Sequence, residues 1–96
     1  MHIWLDSQNA EKMIWAIAKA LGTVDPDQAS VYMLNARKVQ RQIQLLDLDL
    51  RARLRAVRNR PYVVFHDAYQ YFERRYGLKS VGTVSAGPGR LQGCLL

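Results

Sequence analysis

Cysteine, histidine and long apolar runs are all scarce in this chain of 96 residues. The one cysteine, Cys94, cannot form an internal disulfide, and no Cys-x-x-Cys pair marks a structural metal site. No apolar stretch approaches the ~20 residues that a membrane span needs. The opening residues, Met1–Asp6, lack a basic segment followed by a long apolar run, so no signal peptide is visible. We therefore expect no disulfide, no membrane insertion and at most one compact domain.

Acidic residues are scarce in the middle of the chain, where basic residues accumulate. Residues 37–60 carry eight lysine and arginine side chains against Asp47 and Asp49, a surplus of six that equals the formal net charge of +6. Such a stretch indicates either the solvated face of a long helix or a surface for nucleic acid or other acidic partners. No recognition motif accompanies the basic residues, so we favour the solvated face.

Glycine and proline are both absent between Pro26 and Pro61, which predicts one unbroken helix reaching to about Val57. A helix of ~30 residues is ~45 Å long. A compact domain of this length has a radius of gyration of only ~12–13 Å, so the helix should protrude or lie along other polypeptide. Apolar residues recur along it every three or four positions in one continuous stripe and one partial stripe: Val39, Ile43, Leu46, Leu50, Leu54 and Val57, then Leu34, Leu45 and Leu48.

A shorter helix is predicted before the long one, from about Ser7 to Leu21. Asp6 suits the N-cap, and Gly22 is placed to end the helix in a left-handed conformation. The long helix then begins with its own start signal, in which Asp25 caps and Gln28 follows three residues later.

The last third of the chain predicts a parallel β-α-β unit. Tyr62–Phe65 is a short apolar run typical of a buried strand, and Ser80–Ser85 reads as a second strand. Between them, Asp67 can cap a helix over Ala68–Tyr76 that Gly77 ends. The predicted fold class is therefore α/β: a helix, a long linker helix and a β-α-β unit.

Candidate chemistry is limited to two histidines. His66 follows a predicted strand, the place where ligand sites collect in α/β sheets, and a neutral imidazole can bind a metal there. The alternative is a helix-capping or core histidine. His2 lies 64 positions away without a local ligand signature, and taken alone it reads as an uninvolved terminal residue. Of the nearby acids, Asp67 is expected to cap a helix and Glu73 to be an exposed partner of an arginine. No catalytic motif is present, so we predict that the chain is not an enzyme.

Two segments, His2–Ala10 and Arg60–Glu73, closely resemble stretches of the ZnuA-type periplasmic zinc-binding proteins, the solute receptors of ABC-type zinc importers. The order and separation of the segments also fit, and the resemblance spans roughly residues 2–84. It implies a fold of two α/β lobes joined by one long rigid helix. It further implies that His2 and His66 are zinc ligands from separate lobes, that zinc is the transported ligand, that the location is periplasmic and that an importer permease is the partner.

The same resemblance implies a fragment. Residues 1–24 would be a remnant of the N-terminal lobe, 25–59 the long linker helix, 60–85 the start of the C-terminal lobe and 86–96 a divergent tail. Family members are about three times as long, and their further ligands have no counterpart here. Because a tetrahedral zinc site needs about four ligands, we expect water or a second chain to complete the shell. The uncovered helix stripes predict self-association.

Two alternatives stay open beside the zinc-receptor fragment. One is a basic helical protein that binds nucleic acid or acidic partners with a strong dependence on salt. The other is a truncated remnant that binds no metal. The two resembling segments favour the receptor fragment, with no nucleic-acid partner.

Overall fold

Two long antiparallel helices and a small β-α-β unit form the structure, a computed structural model that describes residues 2–84 and 91–92. The helices are α1 (Ser7–Val24), α2 (Ala29–Leu54) and α3 (Gln70–Tyr76). The strands are β1 (Val63–Val64), β2 (Gly82–Val84) and β3 (Leu91–Gln92). Single 3-10 turns cover Ile3–Leu5, Pro26–Gln28 and Arg55–Val57. None of the helices in this part of the chain has the length and apolar composition of a membrane span.

The molecule is elongated, as the long predicted helix requires. Its extents are 58 × 31 × 14 Å, and its radius of gyration is 17.8 Å. That radius exceeds the ~13 Å of a compact domain of this length. The helix predicted to reach Val57 is confirmed, because α2 runs to Leu54 and the 3-10 turn Arg55–Val57 continues it.

Helix α1 begins where the sequence predicts and ends later. The Asp6 carboxylate accepts a hydrogen bond from the Gln8 backbone N–H at 2.9 Å, which caps the helix. The expectation that Gly22 stops the helix is wrong, since α1 continues to Val24. Gly22 serves a close approach instead: a Cβ there would lie 3.2 Å from the Cβ of Ala29, at the start of α2. The missing side chain lets the two helices meet at their turn.

The start of α2 also differs from the prediction. The Asp25 side chain makes no capping bond to the turn Pro26–Gln28. Its carboxylate instead accepts a hydrogen bond from the Tyr32 hydroxyl at 3.1 Å, one turn into α2. This contact also raises the pKa of the Tyr32 hydroxyl.

The predicted β-α-β unit is confirmed, because β1 pairs in parallel with β2 in the register Val63↔Gly82 and α3 lies between them in sequence. Strand β3 pairs antiparallel with β2 and was not predicted. The rest of the 86–96 tail, like the predicted strand end at Ser85, lies outside the described residues. The predicted strand is present but limited to Val63–Val64 of the expected Tyr62–Phe65. Its predicted burial is wrong, since Val63 and Phe65 are 48% and 74% exposed.

Helix α3 is shorter than predicted at its start. The Ala68 backbone N–H donates to the His66 carbonyl at 2.9 Å, which closes a tight turn. The helix therefore begins at Gln70, and Asp67 is not its cap. Gly77 ends the helix with a φ of 70°, the left-handed conformation that the sequence predicts.

Little apolar surface is buried. In the described part of the chain the buried apolar residues are Ala18, Ala36, Ala68 and Tyr76. The small alanines allow α1 and α2 to pack closely, and an open apolar groove of about 220 Å³ remains between them. The partial stripe of Leu34, Leu45 and Leu48 is 57–64% exposed. In the continuous stripe Val39 and Leu46 are exposed and the other members are half-buried.

A buried carboxylate joins the three helices. Asp47, on α2, is 9% exposed. It accepts hydrogen bonds from Ser7 Oγ at 2.8 Å, from Tyr76 Oη at 2.7 Å and from Arg75 Nε and Nη2 at 3.1 and 2.8 Å. Arg51 lies 3.5 Å away on the more exposed side. We call Asp47 with Ser7, Arg75 and Tyr76 the carboxylate hub.

The hub shifts the pKa of its members. The bonds from Arg75 hold the pKa of Asp47 far below its ordinary value. Burial opposes that shift, and the hydrogen bonds from Tyr76 and Ser7 add to it. Burial and the Asp47 carboxylate raise the pKa of the Tyr76 hydroxyl. Asp47 is therefore ionised in the folded chain over the whole neutral and mildly acidic range.

Gly77→Ala should lower the free energy of unfolding by about 1–2 kcal/mol, because a Cβ disfavours the left-handed conformation. The new Cβ would also lie 3.4 Å from Arg58 Cδ. Urea denaturation followed by circular dichroism measures the change. Gly77→Asn is the matched control and should lose less, since asparagine tolerates this conformation. Equal stability of the alanine variant and the wild type would contradict the assignment.

The hub predicts acid sensitivity. The pKa of Asp47 is lower in the folded than in the unfolded chain, so its ionisation stabilises the fold above the ordinary carboxyl pKa of ~3.9. That stabilisation is lost as the pH falls below this value toward the folded-state pKa. Between pH 5 and pH 3, the wild type should therefore lose more stability in urea denaturation than Asp47→Asn does. Asp49→Asn, an exposed acid on the same helix, should follow the wild type; the same acid response in all three chains would refute the prediction.

Candidate metal centre

The two histidines of the sequence line one open cavity. Its volume is about 450 Å³, and it lies where the start of the chain meets α3. The lining residues are His2, His66, Asp67, Ala68, Gln70, Tyr71 and Arg74. The fold thus brings together two side chains that are 64 positions apart. Their role as metal ligands stays a prediction.

His2 is held in place through its backbone. Its carbonyl accepts a hydrogen bond from the Leu5 N–H at 3.1 Å, which closes the turn Ile3–Leu5. Asn9 Nδ2 donates to the Ile3 carbonyl at 3.0 Å and fixes this turn onto α1. The His2 side chain is half-buried, and its ring lies 6.4 Å from that of Trp4 in an edge-to-face arrangement.

His66 lies in the bend between β1 and α3. Its carbonyl accepts from the N–H of Ala68, which is buried and anchors the bend. The imidazole is exposed, and the centre of its ring lies 6.2 Å from that of Phe65 and 6.0 Å from that of Tyr69. The ring is therefore oriented by its neighbours and open to a ligand from solution.

The remaining lining residues add little to a metal site. Asp67 lines the cavity, but no group of three or more histidine, cysteine, aspartate or glutamate side chains within residues 2–84 and 91–92 is placed to hold a metal ion. The Arg74 guanidinium lies 5.9 Å from the centre of the Tyr71 ring, and its charge repels a cation in the cavity. Two imidazoles suit zinc but leave about two positions of a tetrahedral shell to be supplied from elsewhere.

Glu73 does not have the role that the sequence predicts. It is half-buried rather than exposed, and its carboxylate accepts a hydrogen bond from the Tyr62 hydroxyl instead of pairing with an arginine. Burial, followed by the contact with Glu73, raises the pKa of Tyr62 well above its ordinary value. This bond attaches α3 to the segment that leads into β1.

Sequence reasoning missed two sets of residues. Gln70 and Arg74 are four positions apart on α3, a spacing that places them on one helix face beside His66. Asp47 follows Ile43 by four positions and precedes Leu50 by three, so it continues the apolar stripe of α2. A carboxylate at such a position signals a buried, paired charge.

Comparisons with known proteins identify the family of the chain. The family profile "Zinc-uptake complex component A periplasmic" (ZnuA) matches residues 1–91. The chain is 41% identical over 93 residues to the high-affinity zinc uptake system protein ZnuA of Brucella abortus (strain 2308), covering 97% of this chain and 28% of that protein. It is 43% identical over 86 residues to the protein of the same description from Paracoccus denitrificans (strain Pd 1222), covering 90% and 26%.

Solved structures show the same likeness. A crystal structure of ZnuA superposes with a TM-score of 0.81 at 29% identity, covering 90% of this chain and 33% of that one. The Zn(II)-bound AdcA of Streptococcus pneumoniae gives 0.77 at 29% identity, covering 88% and 18%. The chain thus spans between about a fifth and a third of the length of these relatives. Since the profile matches nearly all of its residues, the chain belongs to the ZnuA family of periplasmic zinc-uptake components.

Proposed function

We propose that this chain is a zinc-binding part of a periplasmic solute receptor that serves an ABC-type zinc importer, with His2 and His66 as ligands. The observation that carries the proposal is the single cavity lined by both histidines. The relatives support it, because their descriptions name zinc uptake and one solved relative is zinc-bound. They also favour the receptor over the nucleic-acid alternative.

The division of the chain follows the same proposal. Residues 1–24 belong to the N-terminal lobe, 25–59 form the linker helix and 60–85 begin the C-terminal lobe. Three observations support these limits: α1 ends at Val24, α2 and its 3-10 extension end at Val57, and the β-α-β unit spans Val63–Val84. His2 and His66 would then come from different lobes and meet across the cleft.

Binding, rather than bond making or breaking, is the proposed chemistry. A neutral imidazole donates its lone pair to Zn²⁺, so protons compete with the metal and affinity falls as the histidines become protonated. Water or another segment fills the positions that the two imidazoles leave. Zinc is the cargo, the importer permease receives it, and the chain performs no catalysis.

We also propose that a second copy of the chain covers the apolar groove between α1 and α2. The accessible surface is 7582 Å². A folded monomer of 11.0 kDa exposes about 5,600 Å². The excess of roughly 2,000 Å² on one chain exceeds the ~800 Å² that each partner buries in a standard protein interface. The groove lining carries no charged side chain, and Ile17 and Leu21 on its rim are 56% and 43% exposed. Two helical hairpins paired through this groove would form a four-helix arrangement.

Zinc titration of the pure chain by calorimetry tests the ligand assignment. His66→Ala and His2→Ala should each lower the zinc affinity by at least about tenfold. Removing a group that only orients a metal ligand already costs about 10- to 100-fold, so removing a ligand should cost no less. Gln70→Ala is the matched control, because it changes the same cavity without removing an imidazole. Equal zinc binding by His66→Ala and the wild type would remove His66 from the site, and an absence of binding by the wild type would refute the proposed function.

Sedimentation velocity tests self-association. The wild type should sediment as a dimer at micromolar concentration, and Ile17→Glu should shift it to the monomer by placing a charge in the groove. Lys19→Gln makes the same change in net charge on the opposite side of α1 and should stay dimeric. A monomeric wild type would contradict the proposed pairing.

A further inference from the structure

The two segments that carry the histidines belong to different parts of the fold. His2 precedes α1, His66 precedes α3, and the Ile3–Leu5 turn contacts α3 beside the cavity. No strand pairing of residues 2–84 and 91–92 joins these two segments. The separation of the imidazoles therefore depends on how α3 is oriented against the start of α1.

One carboxylate spans that junction. On the α1 side, Ser7 Oγ donates to Asp47 Oδ1 at 2.8 Å. On the α3 side, Tyr76 Oη and Arg75 Nε donate to the same oxygen at 2.7 and 3.1 Å, while Arg75 Nη2 donates to Oδ2 at 2.8 Å. The fork between Arg75 and the carboxylate fixes an angle as well as a distance. Asp47 therefore sets the orientation of α3 relative to α1.

Short hydrogen-bonded paths connect the hub to both histidines. Ser7 is the first residue of α1 and lies five residues after His2, with the intervening turn closed by bonds from Leu5 N–H to the His2 carbonyl and from Asp6 N–H to that of Ile3. On the other side, α3 leads back from Arg75 to its first turn, where Glu73 N–H donates to the Tyr69 carbonyl at 2.8 Å. The bend at His66 lies directly before this turn in the sequence.

Besides the hub, the contact of the Ile3–Leu5 turn with α3 holds this junction, but Ile3 and Trp4 of that turn are 37% and 54% exposed. Near α3, the buried apolar residues of the described chain are Ala68 and Tyr76, and Tyr76 is itself a member of the hub. The Phe72 and Tyr76 rings pack 4.8 Å apart, but both belong to α3 and cannot orient it. Arg51 is half exposed and 3.5 Å from Asp47, so its ion pair contributes little. The apolar contact across the junction is therefore small, and the Asp47 carboxylate supplies the directional bonds across it.

We propose that Asp47 is a positioning residue for zinc binding: it holds the His2 and His66 segments at the separation that the metal needs, and it does not contact the metal. The inference rests on the proposed function. In this proposal Asp47 controls the geometry of the two ligands, although it lies on the linker helix α2 and does not line the cavity.

The experiment combines a distance with an affinity. Spin labels on Lys12→Cys in α1 and Gln70→Cys in α3, in a Cys94→Ser background, report the orientation of α3 by double electron–electron resonance. Asp47→Asn should broaden or shift the distance distribution. In the chain without labels it should lower the zinc affinity about 10- to 100-fold, the loss seen when a group that orients a metal ligand is removed. The absorption spectrum of bound Co²⁺ should change as well, because it reports ligand geometry rather than stability.

Asp49→Asn is the matched control, since Asp49 lies on the same helix and pairs only with Arg53 among the contacts described for it. It should leave the distance, the affinity and the Co²⁺ spectrum unchanged. If Asp47→Asn does not fold, Ser7→Ala removes one hub bond at smaller cost and should shift the distance and the affinity in the same direction. An unchanged distance, or a changed distance with unchanged zinc affinity and Co²⁺ spectrum, would overturn the positioning role. Failure of the proposed function is distinct, because it appears as absent zinc binding in the wild type or equal binding by His66→Ala.

Discussion

The ionised carboxylate of Asp47 is the interaction on which the arrangement of the three helices depends. A carboxylate that is nearly removed from water must be paired and hydrogen-bonded, and here the donors come from two places in the chain, the start of α1 and the end of α3. Satisfying it requires the start of α1 and the end of α3 to lie at the same level of α2. The positions of the two histidine-bearing segments follow from that requirement, since the His2 segment leads into the start of α1 and the His66 bend leads into the start of α3.

The apolar contribution to the fold is small by comparison. The helical hairpin is closed by alanines and by the approach of Gly22 to Ala29, while most larger side chains on the two helices stay exposed. Such surfaces are available for burial by a second copy of the chain, the proposed occupant of the groove between α1 and α2. The chain thus combines a well-determined polar junction with incomplete apolar coverage.

Local signals in the sequence were sufficient for the helices and for the parallel pairing. The Asp6 cap, the absence of glycine and proline between Pro26 and Pro61 and the left-handed Gly77 are all signals local in the sequence. The predicted local roles of three residues are wrong because other contacts replace them. Gly22 allows a close approach to Ala29, and Asp25 accepts a hydrogen bond from Tyr32. At Asp67, the turn closed by Ala68 and His66 delays the start of the helix. At the cavity, the resemblance pointed to His2 and His66 as ligands. Their meeting depends on the hub, whose hydrogen bonds join residues far apart in the chain. The only sign of the hub in the sequence is the position of Asp47 within the apolar stripe of α2.

The position of the hub along α2 has a mechanical consequence. Asp47 lies 18 residues after Ala29, the first residue of the helix, a distance of about 27 Å at 1.5 Å per residue. The hairpin of α1 and α2, whose helices pack along each other, therefore has its pivot near the cavity and its far end at the turn between the helices. A rotation of about 5° at the pivot displaces the far end by about 2 Å over that length. A small angular adjustment around one ion pair would thus be transmitted as a translation to the opposite end of the molecule.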